Sequence, residues 1–342
     1  MGITHLSGLE VAGVPTMGMG GAPFFTGNWY FVDPANGSDG NTGSADSPLK
    51  TLYMAHAKMT AGQNDVCVLV GDGATTGTAR LSTALAQSVD SSVTAGTLVW
   101  SKNACHLVGM TAPTGIAARA RIAPPSGTYT VTTFGSANFV TVSASGCYFA
   151  NFSLFNGFST GGANQICWTD SGARNFYSSI QFGGMGDAGS AGDAGSRSVK
   201  ISGGGESTFL NCTIGLDTVT RSAANASLEF SGGTARNKFI NCDFPFMTSA
   251  ATPLGIKVAA AAGSDRWQKF DNCTFINNVQ STSTTMDGLA TLAASMGGLL
   301  LMKNVTMVGI TEFGTDATSR GQIYVDGAAP TAATSGIALN PT

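Results

Sequence analysis

Charge is what this chain has least of. Its 342 residues include 17 Lys and Arg and 20 Asp and Glu, so charged side chains make up 11 % of the total, less than half the usual share. Long solvated helices are therefore not expected, because charged pairs normally decorate their exposed faces. A net charge of −3 leaves no electrostatic footprint for nucleic acid. Disorder is equally disfavoured, since 43 % hydrophobic residues with little charge reverse the disordered signature. No run of 18 apolar residues exists, so no membrane helix is expected. The first residues, MGITHLSGLEVAGVPTMGMGG, lack a basic segment followed by a compact apolar one, and no secretion signal is expected. Seven cysteines (Cys67, Cys105, Cys147, Cys167, Cys212, Cys242, Cys273) form an odd set without a C-x-x-C pair, which supports neither a disulfide framework nor a metal cluster. No Gly-x-Ser-x-Gly elbow occurs, and the Gly-rich stretch 183–195 lacks the Lys-Ser/Thr of a phosphate loop. That stretch reads as a flexible surface excursion or as a contact with a neighbouring subunit.

Glycine is abundant instead. Its 46 copies are about 13 % of the chain, roughly twice the average, and together with many Ser and Thr they suggest an all-β protein rich in turns. A repeat gives this composition an address. The pattern apolar-x-Asn-apolar-x-apolar begins at Phe149, Tyr177, Phe209, Phe239, Phe270 and Met302, with Asn151, Ser179, Asn211, Asn241, Asn272 and Asn304 in its third place. Successive copies are 28, 32, 30, 31 and 32 residues apart. A second alternating segment precedes most copies, at 140–142, 166–168, 199–201, 228–230 and 256–258, with Gly/Ser turns such as 202–205 and 231–233 between the two. Alternation with period two is the mark of a half-buried strand. A unit of two short strands cannot bury its apolar face alone, but stacked units bury it continuously. The expected fold is all-β, a right-handed parallel β-helix solenoid with an N-terminal strand–helix–strand cap. Cys212, Cys242 and Cys273 then form an inward ladder, and Asn211, Asn241 and Asn272 a corner ladder where Asn tolerates a left-handed backbone.

The cap is expected over 28–75. Trp29 opens a strand, a loop rich in Asp, Asn and Gly follows (33–43), Ser47 caps a helix with Pro48 at its first position, and 65–70 is a second strand. Leu49, Leu52, His56 and Met59 recur on one helical face, which makes His56 a packed core residue. The solenoid is expected over 76–312, flanked by an attachment arm (1–27) and a C-terminal tail (313–342) with one strand candidate at 322–325. The stretch YFVDPANGSDGNTGSADSPLKTLYMA resembles the opening signature of the pectate-lyase-like right-handed β-helix superfamily. The segment HLSGLEVAGVPTMG before it resembles virion proteins encoded near the capsid genes of tailed bacteriophages. The resemblance implies the fold firmly and the function poorly, and it carries over no catalytic motif.

Chemistry-bearing residues are few. Asp33, Asn36, Asp39 and Asn41 offer oxygens at near-alternate spacing, as calcium favours; the preferred reading is a loop of Asx turns closing the cap. The outward column Ser153, Gln181, Thr213, Asp243, Thr274 and Thr306 holds a single carboxylate. Glu229, on the neighbouring strand of the same unit, is the best acid/base partner for Asp243, with Arg236 and Arg266 in nearby turns. Trp168 and Trp267 are candidate sugar platforms that also fit rung packing. No catalytic, cofactor or metal residue is assigned. The apolar residues of the arm (Ile3, Leu6, Leu9, Val11, Val14, Met17, Met19, Phe24, Phe25) ask for a surface to pack on. The leading expectation is a non-enzymatic phage virion structural protein, a homotrimer decorating or cementing the capsid through its N-terminal arm, with the major capsid protein as partner, assembled in the host cytoplasm. The alternative is a tail spike or fibre that binds or cleaves host polysaccharide. A secreted carbohydrate-active enzyme ranks third.

Overall fold

Each copy of the repeat becomes two strands joined at a tight corner. The computed structural model describes residues 10–11, 14–15, 26–71, 98–116, 118–123, 138–157, 164–278 and 284–326. Most of the proposed arm, with His5 and all its apolar residues but Val11 and Val14, lies outside these, as does the tail beyond Asp326. Within the arm, Glu10–Val11 pairs with Val14–Pro15 as a two-residue antiparallel ladder. Among the described residues the solenoid consists of three parallel sheets of ten, eight and seven strands, wound right-handed. Along the chain a strand of the eight-stranded sheet is followed by one of the ten-stranded and one of the seven-stranded sheet. The run Arg197–Ile201, Thr208–Leu210, Thr213–Ile214 is one such turn.

The interior is a set of side-chain columns. On the ten-stranded sheet Leu107, Phe149, Tyr177, Phe209, Phe239, Phe270 and Met302 stand in register, all buried. Their rings stack face to face, Tyr177 on Phe209 at 4.4 Å and Phe209 on Phe239 at 4.7 Å between centroids. Trp168 enters the same core from the eight-stranded sheet and meets Phe149 and Tyr177 edge-on, so it is no sugar platform. Trp267 is half-buried on the outer face, opposite Leu299. All seven cysteines are free and buried; Cys212, Cys242 and Cys273 follow the corner as an inward ladder, their thiols donating to the carbonyls of Tyr177, Phe209 and Phe239 on the preceding rungs.

The Asn corner exists because the chain must turn there through the left-handed region. Asn151, Ser179, Asn211, Asn241, Asn272 and Asn304 have φ of 69, 54, 53, 52, 54 and 50°, a conformation that Asn adopts more readily than most residues. The backbone amides of the first five bond the strand carbonyl of the next rung. The side-chain amides form a second ladder, Asn272 Nδ2 donating to Asn241 Oδ1 (2.9 Å) and Asn241 Nδ2 to Asn211 Oδ1 (3.3 Å). Asn241→Ala keeps the fold but strains the corner and breaks both amide bonds. We expect a loss of about 1–2 kcal/mol in urea denaturation, and a smaller loss for Asn241→Gly.

A second corner, between the eight- and ten-stranded sheets, also uses positive φ, at Arg174, Glu206, Arg236 and Arg266 (57, 58, 55 and 61°). The amides left unpaired by this irregularity are taken up by buried side chains: Cys147 N donates to Asn175 Oδ1, Ser207 N to Asn237 Oδ1 and Asn237 N to Gln268 Oε1. The same corner holds Asp170, which occupies an inward column between Val142 and Ile201. It is fully buried and accepts from Tyr177 Oη (2.8 Å), Asn175 Nδ2, Ser207 Oγ and Gly172 N. Burial raises its carboxyl above the ordinary value against the pull of these donors.

Three expectations change. The cap helix is Leu52–Lys58, capped by Thr51 Oγ1 on Met54 N, and does not begin at Ser47. Leu49 instead bridges to Val32 as a strand would: its N donates to Phe31 O, its carbonyl accepts from Asp33 N, and Asp39 holds Lys50 N and Thr51 Oγ1. The cap strands Trp29–Val32 and Val66–Val70 are the first two members of the ten-stranded sheet, so the solenoid starts before residue 76. The region 313–326, expected in the tail, finishes the strand Ile310–Gly314, forms the short helix Ala317–Arg320 and supplies Ile323–Val325, the last strand of the ten-stranded sheet.

Candidate functional site

The residues with oxygen ligands in the cap loop are already engaged. Asp33 accepts from Ala35 N, Asn36 N and Asn36 Nδ2, Asp39 from Lys50 N and Thr51 Oγ1, and Asn41 Nδ2 donates to Pro48 O. This is the Asx-turn arrangement, and among the described residues no group of three His, Cys, Asp or Glu converges as a metal site would require. The Gly-rich stretch is neither loose nor free. Its helix Ala188–Ala191 is capped by Asp187, Ser190 and Ala191 are fully buried, and Ala191 O accepts from Ser222 N and Asn225 Nδ2.

The outward column of the seven-stranded sheet is as expected, Ser153, Gln181, Thr213, Asp243, Thr274 and Thr306 facing one another across successive strands. Glu229 does not join it. It points outward from the eight-stranded sheet, in register with Lys200 and Lys257, and accepts from Arg197 Nε at 2.7 Å and Lys200 Nζ at 3.0 Å. Burial acts to raise its carboxyl, but the two cations outweigh this and hold it below the usual range. Arg236 and Arg266 are committed at the other corner, Arg236 to Glu206 and Arg266 to Asp265. The pair Glu229–Asp243 is therefore not assembled, because the two strands belong to different sheets.

Asp243 faces a different feature. After His106–Met110 the chain omits the two-residue corner and instead runs out as a loop, 111–116, before rejoining the seven-stranded sheet at Arg121–Ile122. Asn151 Nδ2 anchors the loop's start by donating to Gly109 O and Thr111 O. Ser153 Oγ anchors its end by accepting from Ala118 N. Its tip, Gly115 at φ +69°, passes over Thr213, so that a Cβ added there would lie 4.0 Å from the Thr213 hydroxyl, three strands along in the register. At the usual strand spacing that is about 14 Å of overhang.

The loop roofs a groove of about 800 Å³. Tyr148, Ala150, Ser178 and Leu210 form its floor, Asn151, Ser179, Asn211 and Asn241 its edge, and Thr213 and Asp243 its far wall. Thr111, Pro113, Thr114, Gly115 and Ile116 close it from above, with Ile116 58 % exposed. Tyr148 lies flat against Phe176, 5.6 Å between centroids, and burial raises its phenol above the ordinary value. Among the described lining residues Asp243 is the only charged one. The column containing Asp243 was readable from strand alternation. The roof was not, because 111–116 carries no motif and its role depends on the rungs it spans.

No protein-family model and no curated protein matches the chain. Solved structures do. A pectin methylesterase in complex with a hexasaccharide aligns at a TM-score of 0.55 with 15 % identity, over 93 % of this chain and 94 % of that one. Pectin methylesterase from Erwinia chrysanthemi aligns at 0.55 with 14 % identity, over 92 % and 94 %. The chain has a pectin methylesterase-like β-helix fold. These likenesses overturn the expectation of a protein without enzymatic activity, since the solved structures that share the fold are those of an enzyme, pectin methylesterase. The scarcity of charge behind that expectation reflects Ser, Thr and Gly on the rung faces. A single placed carboxylate needs no charge-rich surface around it.

Proposed function

We propose that this chain engages a polysaccharide along the roofed corner groove and removes ester substituents from it, with Asp243 as general base. The observation that carries this reading is the groove itself, a partly enclosed channel with hydrogen-bonding groups on four successive rungs and one carboxylate. Cleavage of a glycosidic bond ordinarily uses two carboxylates across the sugar, and Glu229 is on another sheet. Ester hydrolysis asks for less. Asp243 takes a proton from water as the water adds to the acyl carbonyl, the exposed side-chain amides of Asn211 and Asn241 donate to the developing oxyanion, and the proton passes to the departing oxygen, the sugar's in an acyl ester and the methoxide's in a methyl ester. The products are the free acid and the sugar hydroxyl from an acyl ester, or methanol and a sugar-borne carboxylate from a methyl ester. The fold's kinship with pectin methylesterase supports the reading.

The setting we propose is a phage tail spike or fibre, homotrimeric, attached through residues 1–27 and assembled in the host cytoplasm. Its support is the apolar, charge-poor arm ahead of a stiff body. Attachment to the major capsid protein has less behind it, because a capsid cement has no need of a roofed groove.

The test is release of acetate or methanol from acylated and methyl-esterified polysaccharides. Asp243→Asn should lower kcat/KM by about 10²–10⁴ while leaving oligosaccharide binding intact. Unchanged release by the variant, or no release from any substrate by the natural chain, would overturn the catalytic assignment.

A further inference from the structure

The electrostatics of the groove select a class of polymer. We infer that the glycan it takes is linear and neutral along its backbone, aligned with the solenoid axis at about one sugar per rung, and that polyuronates are excluded. The inference rests on the proposed use of the groove for a polysaccharide, but not on the chemistry assigned to Asp243.

Direction comes from the lining. The edge residues Asn151, Ser179, Asn211 and Asn241 occupy equivalent corner positions on four successive rungs. Polar groups therefore recur along the axis at about 4.8 Å, close to the advance of one pyranose in an extended 1,4-linked chain. A polymer lying across the strands would meet this series once. A polymer lying along the axis meets it at every sugar. The roof acts in the same sense, because a loop overhanging three strands encloses a chain running beneath it and blocks one with bulky branches.

Charge comes from the same surface. The edge and floor offer amides, hydroxyls and one phenol, and among the described lining residues no Lys, Arg or His is present to receive a carboxylate. Asp243 adds a negative charge to the far wall. A uronate at each sugar would bring a like charge close to Asp243 in a partly enclosed site and would find no cation in return. A neutral sugar meets neither penalty, and its hydroxyls can both donate to and accept from Asn amides.

Isothermal titration of the full chain with two hexasaccharide panels decides the matter. One panel is neutral and unesterified (1,4-linked glucan, mannan and xylan) and the other acidic (hexagalacturonate and hexaguluronate). Ser178→Trp, an outward position on a floor strand, fills the groove, and affinity lost in this variant defines groove binding. We expect at least one neutral hexasaccharide to bind the groove tenfold or more tighter than either uronate at low salt, with the gap narrowing as salt screens Asp243. Asp243→Lys should narrow or reverse the preference. Affinity should rise with chain length up to about four sugars and then level off, matching the four rungs along the edge of the groove. Groove binding of a uronate as tight as of every neutral hexasaccharide overturns the inference, as does neutral binding untouched by Ser178→Trp. Loss of ester release in a chain that still prefers neutral hexasaccharides would count against the catalytic proposal alone.

Discussion

Phe239→Ala should cost about 3–5 kcal/mol and be the most damaging single truncation in the solenoid. The ring is fully buried, stacked between Phe209 and Phe270 at 4.7 Å on each side with interplanar angles of 13 and 8°, and Phe230 meets it edge-on at 6.0 Å. Its removal leaves a hole that rigid rings cannot close, because every neighbour is itself held in register by strand pairing above and below. The cavity therefore stays open and the full cost is felt. Phe239→Leu should recover much of the loss, and Phe313→Ala, a partly buried position near the C-terminal end, should cost clearly less. Guanidinium denaturation followed by circular dichroism measures all three. A loss below 1 kcal/mol for Phe239→Ala would show that the rings are not the source of rung-to-rung cohesion. Because a solenoid's rungs contact only their neighbours, hydrogen exchange should also show the weakness concentrated around the mutated rung.

Acid should open the N-terminal end first. His56 and His106 are both nearly buried, and desolvation lowers each imidazole to about 4, helped for His56 by Lys102 and opposed for His106 by Asp65. Each works as a hydrogen-bond acceptor: His56 Nε2 takes Ser101 N at 3.2 Å and His106 Nδ1 takes Tyr148 N at 3.0 Å. A folded-state pKa below the unfolded 6.5 means that the stabilisation is complete above about pH 6.5 and is lost as pH falls from there to about 4. The loss is on the order of 3 kcal/mol for each histidine. Asp170 works in the opposite sense, its raised carboxyl favouring the folded state on acidification, but it lies further along the solenoid. The thermal midpoint should therefore drop steeply between pH 6.5 and 4, with hydrogen exchange rising first near the cap helix and the strand His106–Met110. His56→Gln with His106→Asn keeps acceptors near the two ring nitrogens and removes the titration, so the pH profile should flatten. An unflattened profile would assign the acid sensitivity to other groups.

Some of this architecture was legible in particular residues. The Asn at each corner marked the turn, the alternation on either side marked the strands, and the inward Cys and aromatic positions marked the core face. All of these depend on nearest neighbours in the chain or on one repeat length, which is how a solenoid stores its fold. Asp170 was missed although the signal was there, since it shares parity with Ile166 and Trp168 and so had to face inward. The helix start was misplaced because Ser47-Pro48 is a good local cap, but the backbones of Phe31 and Asp33 claim Leu49 as a strand-like partner. The Gly-rich stretch looked free because composition cannot show that Ser190 and Ala191 find a surface to pack on.

The candidate site divides along the same line. Alternation places Asp243 and Glu229 outward, and an outward position is a property of the strand alone. Which of three sheets each strand joins depends on where the corners fall, and this sets the two carboxylates on different faces. The scarcity of charge and the repeat were determined by the sequence itself, because each is written within one turn of chain. The groove was decided only by the tertiary structure. Its floor, edge, wall and roof come from five strands and a loop that are distant in sequence, and they meet because parallel strand pairing stacks the rungs at a fixed spacing.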